Sequence, residues 1–205
     1  MHDVQVPALW FRLPPGFHDI GPRDRPVLEV VAEALGGTES RRQIAQLMDR
    51  MDALVAHQVV RTSIGLHPEG DGGVSTSLFS LTIRQADHPN PRVTVARTAL
   101  AIARSSLWSS ATRKVIELAS SSPCCLVAGL ITPDEVDGCL FQARVVTADP
   151  AGRHIIILDL TSTAIEHAEA YTSILEAVTH TVSFSNPEAR APSSAGTSRI
   201  LEVLL

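Results

Sequence analysis

Eight histidines, three cysteines and several runs of serine are the residues here whose chemistry could support catalysis or metal binding, so their spacing is the first question. Zinc enzymes place ligands on one helix face, as in H-E-x-x-H, and no such spacing occurs. His154 and His167 are the nearest useful pair, and Glu166 and Glu169 beside His167 belong to a pattern that is far more often a solvated helix face. Cys124 and Cys125 are adjacent on a segment that reads as a strand, where neighbours point to opposite faces, so one ion cannot take both. They read as buried structural thiols. Cys139 across a hairpin leaves a redox pair open, without the C-x-x-C spacing such pairs usually have. A serine hydrolase of the nucleophile-elbow type needs G-x-S-x-G, which is absent. The serines at 105–106, 109–110 and 120–122 read as turn and cap residues. Neither a phosphate loop nor G-x-G-x-x-G is present, and Gly70, Gly72 and Gly73 suit a hairpin turn better than an anion cradle. The residues therefore assign no catalytic group, no cofactor and no metal.

Composition narrows the partners. The net charge is −5, aromatic residues make up 4%, and the basic clusters are pairs such as Arg41-Arg42 and Arg113-Lys114. Nucleic-acid binding needs a phosphate-neutralising stripe or a basic groove with stacking rings, so it is not expected. Apolar runs such as Ile155–Leu158 fall far short of the roughly 20 residues that cross a bilayer. Integral membrane association is not expected either. Residues Met1–Pro7 lack a basic leader with an apolar core, and three sparse cysteines suit a reducing compartment, so a cytoplasmic location is the expectation.

The elements that would position any site follow from hydrophobic period and breakers. Ala8–Leu13 reads as an edge strand stopped by Pro14 and Pro15, and Pro26–Leu35 as a short helix ended by Gly36-Gly37. Thr38–His57 reads as a long helix with Ile44, Leu47, Met48, Met51, Leu54 and Val55 on one face. Alternation over Val59–Leu66 and Val74–Gln85 predicts an antiparallel hairpin, and Val93–Leu107 a helix. Strands are predicted at Arg113–Ala119, Cys124–Thr132, Leu140–Ala148 and His154–Leu160, the last two joined by the turn Asp149–Gly152. Thr163–Val182 closes the series as a helix striped with Ile165, Ala168, Tyr171, Ile174, Leu175 and Val178. The short links favour antiparallel pairing. The expected class is α+β: an α/β/α sandwich whose mostly antiparallel central sheet is flanked by helices. Residues 1–187 form that domain, and 188–205 a flexible Ala/Ser/Pro-containing tail with an apolar tip.

The opening Trp10-Phe11-Arg12-Leu13-Pro14-Pro15-Gly16-Phe17, and the closing Tyr171–Val178 running into Thr181–Phe184, resemble the PsbP-like α/β sandwich family. That family includes Mog-, LpqN- and Eag-type proteins. The resemblance spans about residues 8–187 and implies a sheet flanked by helices with a role in protein binding or assembly, and no catalytic residues. The expected function is thus a non-enzymatic cytoplasmic adaptor or chaperone-like module that binds another protein. Leu201, Val203, Leu204 and Leu205 are candidate docking residues in the tip, while Met48 and Met51 are candidates for a homodimer face. An alternative is a small-ligand protein or enzyme with a pocket between the long helix and the sheet, using His57, His67 or His154.

Overall fold

The structure is a computed structural model that describes residues 7–21, 59–68, 74–132 and 138–186, together with positions 24, 30, 42 and 45. Its elements run β1 (Phe17–Ile20), β2 (Val59–Pro68), β3 (Val74–Gln85), α1 (Pro91–Ala103), β4 (Trp108–Val115), β5 (Cys124–Ile131), β6 (Leu140–Ala148), β7 (His154–Ser162), a 3-10 turn (Ile165–His167) and α2 (Ala168–His180). The seven strands make one sheet in the order β1-β2-β3-β7-β6-β5-β4, with every neighbouring pair antiparallel. The expected α+β class with an antiparallel sheet is observed.

β7, at the centre of the sheet, is covered on both of its faces. Its sequence His-Ile-Ile-Ile-Leu-Asp-Leu-Thr-Ser is buried at all nine positions, a run too apolar for a strand with one wet face. Ile156, Leu158 and Leu160 point to the side of α2, where they meet Phe79, Val145, Tyr171 and Leu175. Ile155 and Ile157 point to the other side and meet Val95 and Ala99 of α1 with Val127 and Val146. Each fully buried Ile or Leu contributes about 1.5–3 kcal/mol, and β7, like β5 and β6, supplies residues to both cores. β3 pairs with it from Ser77↔Ser162 to Gln85↔His154, joining the first three strands to the last four.

The helices begin and end for local reasons. Asn90 caps α1 through Oδ1, which accepts from the Arg92 amide at 2.9 Å, and Pro91 fills the first turn. α1 ends at Ala103, four residues before the predicted end, where Arg104 N–H closes on the Leu100 carbonyl and Ser105 N–H on that of Ile102. α2 buries Tyr171, Leu175 and Val178 on one stripe, as the period predicts, while the residues before it tighten into the 3-10 turn and leave Ile165 exposed.

Other boundaries also differ from the sequence reading. Ala8–Leu13 is not a strand: Trp10 makes a single bridge with Ser183, and the edge strand forms at Phe17–Ile20, after the two prolines that lack backbone donors. The segment lies as a strap, with Phe11 5.5 Å from Phe79 and the Arg61 guanidinium 4.9 Å over the Phe11 ring. β4 begins at Trp108, five residues earlier than predicted, because a bulge between Trp108 and Ser110 lets the strand run along β5. Beyond Val115 the chain turns inward, since Ile116 and Leu118 bury against the α2 side. Consequently Ser109 and Ser110 lie in a strand, whereas Ser120–Ser122 form the expected turn, with Ser121 at φ 56°.

Val30, Arg42 and Ala45 are helical. The rest of the two predicted helices at 26–35 and 38–57, including Met48, Met51 and His57, lies outside the described residues, as do 69–73 and the tail with Leu201, Val203, Leu204 and Leu205.

Candidate functional site

At one end of the sheet, β4 pairs with β5 on one side, and among the described residues nothing pairs with its other side. Residues alternate along it. Ser110, Thr112 and Lys114 stand on the α2 side, where Lys114 Nζ lies 2.6 Å from Glu176 Oε1 and Thr112 Oγ1 donates to the Ala128 carbonyl. Ala111, Arg113 and Val115 stand on the α1 side. There they form one wall of a groove of about 900 Å3, with Arg92, Ala96 and Leu100 of α1 opposite and Cys125 between. Val115 is 76% exposed, so an apolar wall residue has no covering side chain. The groove exists because α1 seats Val95 and Ala99 on β5 and β6 and lies less closely over β4, further out.

Charge in the groove runs against the charge of the chain. Arg61, Arg97, Lys114 and Arg144 are each ion-paired, to Asp19, Asp87, Glu176 and Asp159. Arg92 and Arg113 have no acidic partner among the described residues, and Glu117 is the one acidic side chain in the wall described there. Burial raises the Cys125 thiol above its usual value, while Arg113 pulls it the other way. Burial, then Cys125 and Glu176, push Cys124 on the opposite face up to about 12. Both thiols are therefore protonated and poor nucleophiles at neutral pH.

A second constellation sits on the α2 side near the other edge. His67 Nε2 lies 2.8 Å from Ser77 Oγ, the Tyr171 hydroxyl donates to Ser75 Oγ at 3.1 Å, and the His67 ring stands 5.4 Å from those of both Phe17 and Tyr171. His167 faces Tyr171 from the 3-10 turn, its ring 6.3 Å away. Gly65 makes room for this: a Cβ there would lie 2.5 Å from Ser77 Oγ and 2.6 Å from His67 Nε2. Burial, and secondarily His167, lower the His67 pKa, which keeps the ring neutral. The pair has the outline of a nucleophile and its base, but Ser77 is wholly buried and no described carboxylate hydrogen-bonds His67 to orient it. Its chemistry is that of a satisfied buried hydrogen bond.

No family model and no curated protein matches the chain. Among solved structures it is similar to protein PA94 of Pseudomonas aeruginosa, described as a protein of unknown function and a candidate regulator. Identity is 16%, the match covers 56% of this chain and 79% of that one, and the TM-score is 0.40. Function therefore rests on the geometry of the site.

The structure separates the other expected groups. His67 pairs with Ser75 and His154 with Gln85, ten residues apart along β3 and so roughly 33 Å distant. One pocket cannot use both. His154 and His167 flank opposite ends of β7 and form no pair. The expectation that Cys139 faces a cysteine across a hairpin is also corrected. Cys124 and Cys125 lie opposite Thr147 and Val146, while Cys139 precedes Leu140 at the far end of β6, and all three thiols are free. Cys124 and Cys125 do point to opposite faces, the first into the α2-side core and the second against the α1-side core. Among the described residues no group of three metal-ligating side chains converges, and no helix is long and apolar enough to cross a membrane. The sequence reading missed the groove. Its signal was the alternation of Ala111, Arg113 and Val115, legible only once β4 is known to be an edge.

Proposed function

We propose that the chain is a non-enzymatic, cytoplasmic protein-binding module of the PsbP-like α/β/α kind, adaptor or chaperone in role, and that it receives an extended segment of another polypeptide along β4. The observation that carries this reading is the continuity of a strand edge that is unpaired among the described residues with an open apolar groove on its α1 side. An added strand gains main-chain hydrogen bonds from the edge, and its alternate side chains fill the groove. The buried Ser77 hydroxyl, the protonated Cys124 thiol and the separation of the histidines support a binding role over a catalytic one.

A fluorescein-labelled peptide that alternates valine and serine tests the reading, with polarisation as readout and hydrogen exchange to locate binding. Protection confined to residues 108–115, and loss of binding on N-methylation of alternate peptide amides, are expected. Val115→Lys, at an exposed position, should weaken binding about tenfold, because its charge would be desolvated in the groove. Binding that survives both changes, or protects another edge, rejects strand addition at β4.

A further inference from the structure

We infer that the segment received at β4 carries an acidic residue flanked, two positions away on each side, by apolar residues, and that this triplet faces α1. The inference rests on the strand-addition reading and names the chemistry of its partner.

The argument is one of register and charge. A strand added to β4 places side chains directly opposite Ala111, Arg113 and Val115 on the groove side, at Cβ separations of about 4.5–5.5 Å. Ala111 and exposed Val115 call for apolar neighbours. Between them stands Arg113, a cation with no acidic partner among the described residues. Across the groove Arg92 lies in the first turn of α1, which has no acidic residue, so the helix dipole adds to its positive potential there. Glu117 offsets one of the two arginines, and the groove side stays cationic in a chain of net charge −5. The other side of β4 makes no such demand, because Lys114 is already held by Glu176. The selectivity is thus one-sided. A carboxylate opposite Arg113 completes a cross-strand ion pair beside desolvated apolar contacts, whereas a lysine there meets two arginines offset by a single carboxylate.

Three labelled peptides that differ at one position test this: Ser-Val-Ser-Glu-Ser-Val-Ser and its Gln and Lys counterparts, each titrated against the full chain at low and at physiological salt. The Glu peptide should bind about fivefold tighter than the Gln peptide and more than tenfold tighter than the Lys peptide, with the gap narrowing as salt rises. Arg113→Glu should invert the order of the Glu and Lys peptides, Arg92→Glu should reduce the preference, and Lys114→Glu should leave it in place. Circular dichroism melts confirm that these exposed-site variants stay folded. Equal binding of all three peptides, with N-methyl sensitivity retained, overturns the charge inference and leaves strand addition standing. Absence of binding by all three overturns both. A concentration-dependent dimer in sedimentation that protects residues 108–115 also overturns it, since the edge would then belong to a second copy.

Discussion

His67 shows how a residue that looks catalytic in sequence becomes structural in its setting. Its ring is packed by Phe17 of β1, Tyr171 of α2 and Ser77 of β3, with the His167 imidazole nearby. Because the folded pKa lies below the ordinary value of 6.5, the unfolded chain binds the proton more readily. The stability this group contributes is therefore complete above about pH 6.5 and is lost as pH falls through the lower folded pKa. Asp19 acts later in an acid titration. The Arg61 guanidinium holds its carboxyl below 3.8, so its contribution persists above that value and disappears further down. Urea denaturation across pH 7 to 5 should show the first loss in the native protein and a flatter profile in His67→Gln. An unchanged slope would mean that His67 does not sense folding. At the same site Gly65→Ala should lower stability by about 1–3 kcal/mol, since its methyl would press on Ser77 Oγ, His67 Nε2 and Phe17.

Among the elements, β4 is held close to its neighbour at one glycine. Gly129 of β5 lies opposite Ala111, and a Cβ there would land on the Ser110 carbonyl oxygen, a backbone atom that the bulge has brought close. Gly129→Ala should therefore loosen β4 and leave the rest of the sheet paired. Hydrogen exchange should quicken across residues 108–115 while β6 and β7 stay protected, and peptide binding at the edge should fall with it. Uniformly faster exchange over all seven strands would show that β4 is not a separable unit. The Lys114–Glu176 pair joins the same strand to α2 but is partly solvated, at 59% and 27% side-chain exposure. Its removal should cost under about 1 kcal/mol, so the ladder with β5, not the ion pair, holds the edge.

For the whole molecule, the pairing of β3 with β7 decides cooperativity. The first three strands and the last four meet only there within the sheet, yet that seam carries nine residue pairs and joins Phe79 and Leu81 of β3 to Ile156, Leu158 and Leu160 of β7 in the α2-side core. Unfolding should consequently be a single transition. Trp10 sits in the strap bridged to Ser183, and Trp108 packs on the α1-side core near the far edge, so each reports one region. Trp108→Phe and Trp10→Phe variants, followed by the fluorescence of the remaining indole, should give the same urea midpoint as far-UV circular dichroism after correction for each variant's own stability. Midpoints that separate would show the two regions unfolding independently.

Local pattern alone determined most of the elements. The bounds of Leu140–Ala148, the hairpin from Val59 to Gln85, the start of β7 and the stripe on α2 are written in alternation, helical period and turn residues, which act between near neighbours. The opposite orientation of Cys124 and Cys125 follows from strand geometry in the same way. Strand order was beyond reach, because antiparallel pairing by short links does not say which strand ends at an edge. That order left the outer edge of β4 without a partner among the described residues and placed Arg113 on the same groove as Arg92, from a strand and a helix whose sequences share no pattern. It also set His67 and His154 on the two strands that flank β3, beside its opposite ends. Contacts between residues distant in the chain are fixed by how the cores close, and only tertiary packing decides that.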